Sequence, residues 1–101
     1  MDSLYSVSSE AQDDLFEIWA CIAADSVSRA NRIEDEFHEL FASFDRVPGQ
    51  RNTRRDLTHR PVLFLPLYSF LVVYEPGSQP VRIVAVLRGK RDVRRILKAR
   101  P

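Results

Sequence analysis

A chain of 101 residues, 45% of them hydrophobic and 29% charged, suffices for one domain with one modest core and is too short for two. No apolar run approaches the roughly 20 residues that span a bilayer, Met1-Asp2-Ser3-Leu4 has neither the basic nor the apolar part of a signal peptide, and the only cysteine, Cys21, leaves no internal disulfide to form, so a reducing cytoplasm is expected. The net charge of +1 hides an asymmetry: residues 1–50 hold three Arg against eleven Asp and Glu, and residues 51–101 hold twelve Lys and Arg against three acids. The two halves either neutralise each other in the fold or leave a basic face for an acidic partner or nucleic acid.

Residues 3–8 alternate imperfectly and suit a short strand. Ser9 reads as a helix N-cap with Gln12 completing a capping box, and Ala11, Leu15, Ile18, Trp19 and Ile22 follow on one helical stripe. Asp13, Asp14 and Glu17 fall in the early turns, where the helix dipole favours negative charge. Cys21 borders the stripe and is expected as a small buried thiol. Asp25 or Ser26 caps a second helix whose stripe is Ala30, Ile33, Phe37, Leu40, Phe41 and Phe44, ending near Asp45–Val47 ahead of Pro48-Gly49. So short a link makes the two helices an antiparallel hairpin.

Residues 48–60 are polar and basic, after which the chain turns β-rich. Strands are expected over Val62–Leu65, Ser69–Glu75 and Val81–Leu87, an antiparallel meander with a turn at Pro76–Pro80. Val93, Ile96 and Leu97 stand at helical spacing in a basic tail from Asp92 to Arg100, where Lys98 and Arg100 complement a helix C-terminus. The fold class is therefore α+β: an N-terminal strand, a helical hairpin packed across one face of an antiparallel sheet, order β-α-α-β-β-β, and a short C-terminal helix. Truncation from Arg91 onward is expected to spare that fold.

Several ordered segments resemble the ParE toxins of the RelE/ParE superfamily. Leu15-Phe16-Glu17-Ile18-Trp19 with Ile22-Ala23 and Asp25-Ser26 is similar to their first-helix pattern, and Pro48-Gly49, Arg55-Asp56-Leu57 and Arg60-Pro61-Val62 to the loop before their second strand. Ser69 to Tyr74 resembles the central strand, and Ile83-Val84, Val86-Leu87, Gly89, Arg91-Asp92 and Ile96-Leu97 the closing strand and tail. The resemblance implies a toxin of a type II toxin–antitoxin system that inhibits DNA gyrase and hence replication. It also implies a ParD-like antitoxin bound in a hetero-oligomer, a heterotetramer or larger, that reaches operator DNA in the toxin's stead. No cofactor, metal or membrane is implied.

The RelE enzymes share this fold and cleave messenger on the ribosome, so the fold alone does not choose between the two activities. Metal-free RNA cleavage needs an acid, a base and cations together. RelE enzymes carry a tyrosine or histidine in the tail after the segment that Gly89-Lys90-Arg91 resembles; here residues 92–101 hold no Tyr, His or Glu. His38, on the second helix, is expected at the surface, and His59, in the basic loop, is expected to be solvated or bound to backbone. The favoured reading is non-enzymatic, with RelE-type ribonuclease activity as the alternative.

Candidates for contact with the target are Arg88, Lys90, Arg91, Arg94, Arg95, Ile96 and Leu97; solubility and dipole compensation compete for the arginines. Candidates for antitoxin contact are Leu15, Ile18, Trp19, Ile22, Phe37, Phe41, Arg54, Arg55 and Arg60, although residues spaced as Trp19, Phe37, Phe41 and Phe44 are more often core than binding surface. The interface should exceed about 2,000 Å², because an antitoxin must hold firmly.

Overall fold

A computed structural model describes residues 5–43, 62–75, 80–88 and 93–100. The elements are β1 (Tyr5–Val7), α1 (Ser9–Ala23), α2 (Val27–Ala42), β2 (Leu63–Leu67), β3 (Phe70–Glu75), β4 (Val81–Arg88) and α3 (Val93–Ala99). This is the expected α+β order. The strands lie in one sheet in the order β1-β4-β3-β2.

The meander β2-β3-β4 is antiparallel, as its short links require, but β1 pairs with β4 in parallel through Tyr5, Ser6 and Val7, so the sheet as a whole is mixed. A parallel neighbour needs a long crossover, and the helical hairpin with β2 and β3 supplies it. Pro66 lies in β2, an edge strand where a residue without an N–H is tolerated. The β2–β3 turn is a two-residue loop, Tyr68-Ser69, between the paired Leu67 and Phe70. Tyr68 has φ 56°, a strained value for a residue with a Cβ. Its hydroxyl donates to Glu36 Oε2 of α2 at 2.6 Å, which ties the turn to the hairpin and raises the phenol's pKa.

Helix starts differ in detail from expectation. Ser8, not Ser9, caps α1: its Oγ accepts the Ala11 N–H at 3.1 Å. Gln12 forms no capping box and donates instead to the Val7 carbonyl. Ser26, one of the two expected residues, caps α2 by accepting the Arg29 N–H. That helix is described to Ala42 with Ser43 as its C-cap, so Phe44 and the expected end near Asp45–Val47 lie outside the described residues.

Both faces of the sheet are buried. Ala11, Ile18, Phe37 and Phe41 of the hairpin pack on Leu63, Val72, Tyr74, Ile83 and Val86. On the opposite face Val93 and Leu97 of α3 pack with Phe64, Leu71, Val73, Val84, Ala85 and Leu87. Strict alternation would not put both Val84 and Ala85 on one face. The register explains it: Val73 pairs with Ala85 and Tyr74 with Ile83, leaving Val84 as the extra residue of a β-bulge.

The tail is thus part of the core and not an appendage. Removing residues from Arg91 onward would strip the cover from Phe64, Val73 and Leu87, so the expectation that truncation spares the fold is corrected. The seven-residue α3 is too short to be helical alone, and burial of its Val93–Leu97 stripe supplies what propensity lacks.

Cap identity and core placement are separable by chemical denaturation. Ser8→Ala should destabilise by about 1 kcal/mol and Ser9→Ala by less than about 0.5 kcal/mol. Phe41→Ala should cost about 3–5 kcal/mol.

Candidate functional site

Three surfaces carry the residues singled out by the sequence. The first is a groove of about 540 Å³ over the outer side of the hairpin, lined by Val7, Gln12, Leu15, Phe16, Trp19, Glu34 and His38. Helical spacing places Leu15, Phe16 and Trp19 together within one turn of α1. Phe16 is 67% exposed and its ring stacks on Trp19, centroids 6.5 Å apart at 19°. Trp19 is half-buried, and its Nε1–H donates to Asn31 Oδ1 at 2.9 Å, which fixes the ring across the two helices.

His38 is likewise half-buried and not simply at the surface. Its Nδ1 lies 2.6 Å from the Tyr5 hydroxyl, and both rings meet Phe41 edge-on. Burial raises the Tyr5 pKa. This contact pins β1 to α2 and forms one end of the groove.

Of the antitoxin candidates, Leu15 and Trp19 line this groove. Ile22 is half-buried against the hairpin core, and Ile18, Phe37 and Phe41 are fully inside it, holding helices to sheet. Those three lie in the core: period alone assigns a stripe to one helix face but does not divide its centre from its rim. Arg54, Arg55 and Arg60 lie outside the described residues, as does His59. Phe16 was missed because it falls one residue beside the stripe; a large aromatic off the core face is the signal that marks it. Cys21 also falls off the stripe, which steps from Ile18 to Ile22, and its thiol is exposed rather than buried.

The second surface is basic. Arg88 ends β4 exposed, and Arg94, Arg95 and Lys98 are exposed on α3. Ile96 is half-buried, whereas Leu97 is 1% exposed and belongs to the second core. Lys90 and Arg91 lie outside the described residues.

Between α1, β4 and α3 runs the third, a cleft of about 450 Å³ bordered by Glu10, Asp13, Asp14, Glu17, Arg88, Ile96 and Arg100. Asp14 and Arg100 close its floor with a bidentate pair, Nη1 to Oδ2 at 2.9 Å and Nη2 to Oδ1 at 3.0 Å. Asp14 Oδ2 also accepts the Val86 N–H, and Arg100 Nη1 also donates to the Val84 carbonyl. The hydrogen bonds to Asp14 raise the Arg100 pKa further. Neither residue merely compensates a helix dipole, as their positions in sequence suggest. Glu10, whose pKa is lowered by its own backbone N–H and by Ser9, does sit as first-turn acids should.

Among the described residues no group of three or more His, Cys, Asp and Glu could hold a metal ion, and no helix is long and apolar enough to cross a membrane. The family model of the ParE toxin of type II toxin-antitoxin systems, parDE, matches residues 5–93. The chain belongs to this family. Comparison with curated proteins gives no match. As a ParE-family toxin the chain is the toxin component of a type II toxin–antitoxin system, and the family implies an antitoxin partner. The match runs from β1 to the first residue of α3, so it takes in the whole sheet and the hairpin groove.

The half-buried position of Trp19 sets a stability expectation. Trp19→Ala in this ParE-family toxin should cost about 1–2 kcal/mol, clearly less than Phe41→Ala, and leave the chain folded by circular dichroism.

Proposed function

We propose that this ParE-family toxin inhibits DNA gyrase, and hence replication, by binding and without catalysing a reaction, and that a ParD-like antitoxin neutralises it in the cytoplasm. The observation that carries the reading is the make-up of the tail. Residues 93–100 present Arg94, Arg95 and Lys98 with no acid among them, and residues 92–101 offer no Tyr, His or Glu to move a proton during RNA cleavage. Exposed cations clustered on one short helix suit binding to a polyanion or an acidic protein surface. Arg88, exposed at the end of β4, adds a further cation.

The hairpin groove is the seat we assign to the antitoxin. The stacked Phe16 and Trp19 give an apolar floor, with Glu34 and Gln12 as polar rims. An amphipathic helix inserting apolar side chains at one-turn spacing fits such a floor. In the complex the antitoxin would leave operator DNA to its own DNA-binding part, and the assembly would be a heterotetramer or larger.

Purified toxin should block supercoiling by gyrase and accumulate cleaved DNA, with relief on adding the antitoxin. Neutralising Arg94 and Arg95 together to Gln should weaken that block at least about tenfold while changing stability by no more than about 1 kcal/mol. Normal supercoiling in the presence of active toxin, together with messenger cut on the ribosome soon after induction, would replace this reading with the RelE-type ribonuclease.

A further inference from the structure

Strand β4 outruns its parallel neighbour. β1 pairs with it only at Val81, Arg82 and Ile83, and the Ser8 N–H closes that ladder on the Ile83 carbonyl at 3.0 Å. From Val84 onward no described strand lies on that side. The bulge at Val84 turns its carbonyl toward the same open edge, where Ser8 Oγ and Arg100 Nη1 donate to it at 3.3 and 3.1 Å. Two residues on, the Val86 N–H meets Asp14 Oδ2 at 3.0 Å. A carboxylate and a guanidinium, joined to each other, therefore stand where the next strand's backbone would be. Each side chain is only 15% exposed.

The same pair fixes α3. Val93 and Leu97 lie on one face of α3, and Arg100 follows just past its end, its N–H on the Leu97 carbonyl at 3.3 Å. The first two are apolar and grip the sheet, a contact that is non-directional and leaves a short helix free to slide or roll. Arg100 adds the directional third point. With that stripe held, the remaining positions Arg94, Arg95 and Lys98 are exposed.

We infer that Asp14 and Arg100 are positioning residues for target binding: their four-bonded latch on the β4 edge sets the angle at which α3 presents its basic face. This rests on the reading of that face as the toxic surface. The latch acts through the directions of its hydrogen bonds and not through charge alone, since Val86 requires an acceptor and Val84 a donor.

The test uses the full chain with Asp14→Asn, Arg100→Lys, Arg100→Gln and the reversed pair Asp14→Arg with Arg100→Asp. Amide hydrogen exchange and gyrase inhibition are read on each, with circular dichroism confirming that it is folded. Arg100→Gln should speed exchange at Val86 and through Val93–Ala99 at least about tenfold while leaving β3 and α2 protected, and should lose at least about tenfold in inhibition. Arg100→Lys, which keeps the charge and one donor, should fall between wild type and Arg100→Gln in both readouts, and Asp14→Asn, which keeps an acceptor for Val86, should do the same. The reversed pair should restore neither.

Unchanged exchange in Arg100→Gln would overturn the latch. Faster exchange with full inhibition would overturn its positioning role, and recovery in the reversed pair would reduce it to simple charge attraction. A wild-type chain that leaves gyrase untouched would instead refute the target reading; the exchange arm would still judge the latch.

Discussion

The pair between Asp14 and Arg100 joins residues 86 apart in the chain, and three elements depend on it. It anchors α1 to the sheet edge, closes the part of β4 that β1 does not reach, and ends α3 on the far side. A buried polar group without a partner costs about 1–3 kcal/mol, so the bulge that exposes the Val84 carbonyl is tolerable only because something meets it. Removing one partner leaves the other half-buried without its bidentate bonds, at a typical cost of about 1–3 kcal/mol.

Much of this was legible in the sequence. Period 3.6 gave both hairpin helices, since Ala11, Ile18, Ala30, Phe37 and Phe41 recur at helical steps and all are buried. Runs rich in Val, Leu and Ile marked the meander, and the short link between β2 and β3 forced its antiparallel sense. What remained hidden depends on residues distant in the chain. The parallel pairing of β1 is set by the route of the hairpin, which no local pattern encodes. The bulge at Val84 breaks alternation inside an unbroken apolar run, where every face choice looks the same. Asp14 and Arg100 each have a sufficient local reading at a helix end, and that reading conceals their meeting.

The site was legible to a lesser degree for the same reason. Leu15 and Trp19 line the groove while Ile18, Phe37 and Phe41 are enclosed, yet all five share one periodicity. The tail shows the converse: Arg94, Arg95 and Lys98 are exposed as composition suggests, but Leu97 among them holds the core and Arg100 is half-buried. The charge asymmetry between the two halves of the chain has a partly internal meaning, because Asp14 of the acidic half is matched by Arg100 of the basic half.

A double-mutant cycle on Asp14 and Arg100, each changed to Ala and read by chemical denaturation, tests the central claim most directly. The expected result is a coupling energy of about 1–3 kcal/mol, because each side chain's bonds to β4 are oriented by the other. Additive single effects, with coupling below about 0.5 kcal/mol, would contradict the view that the two close the sheet as one unit.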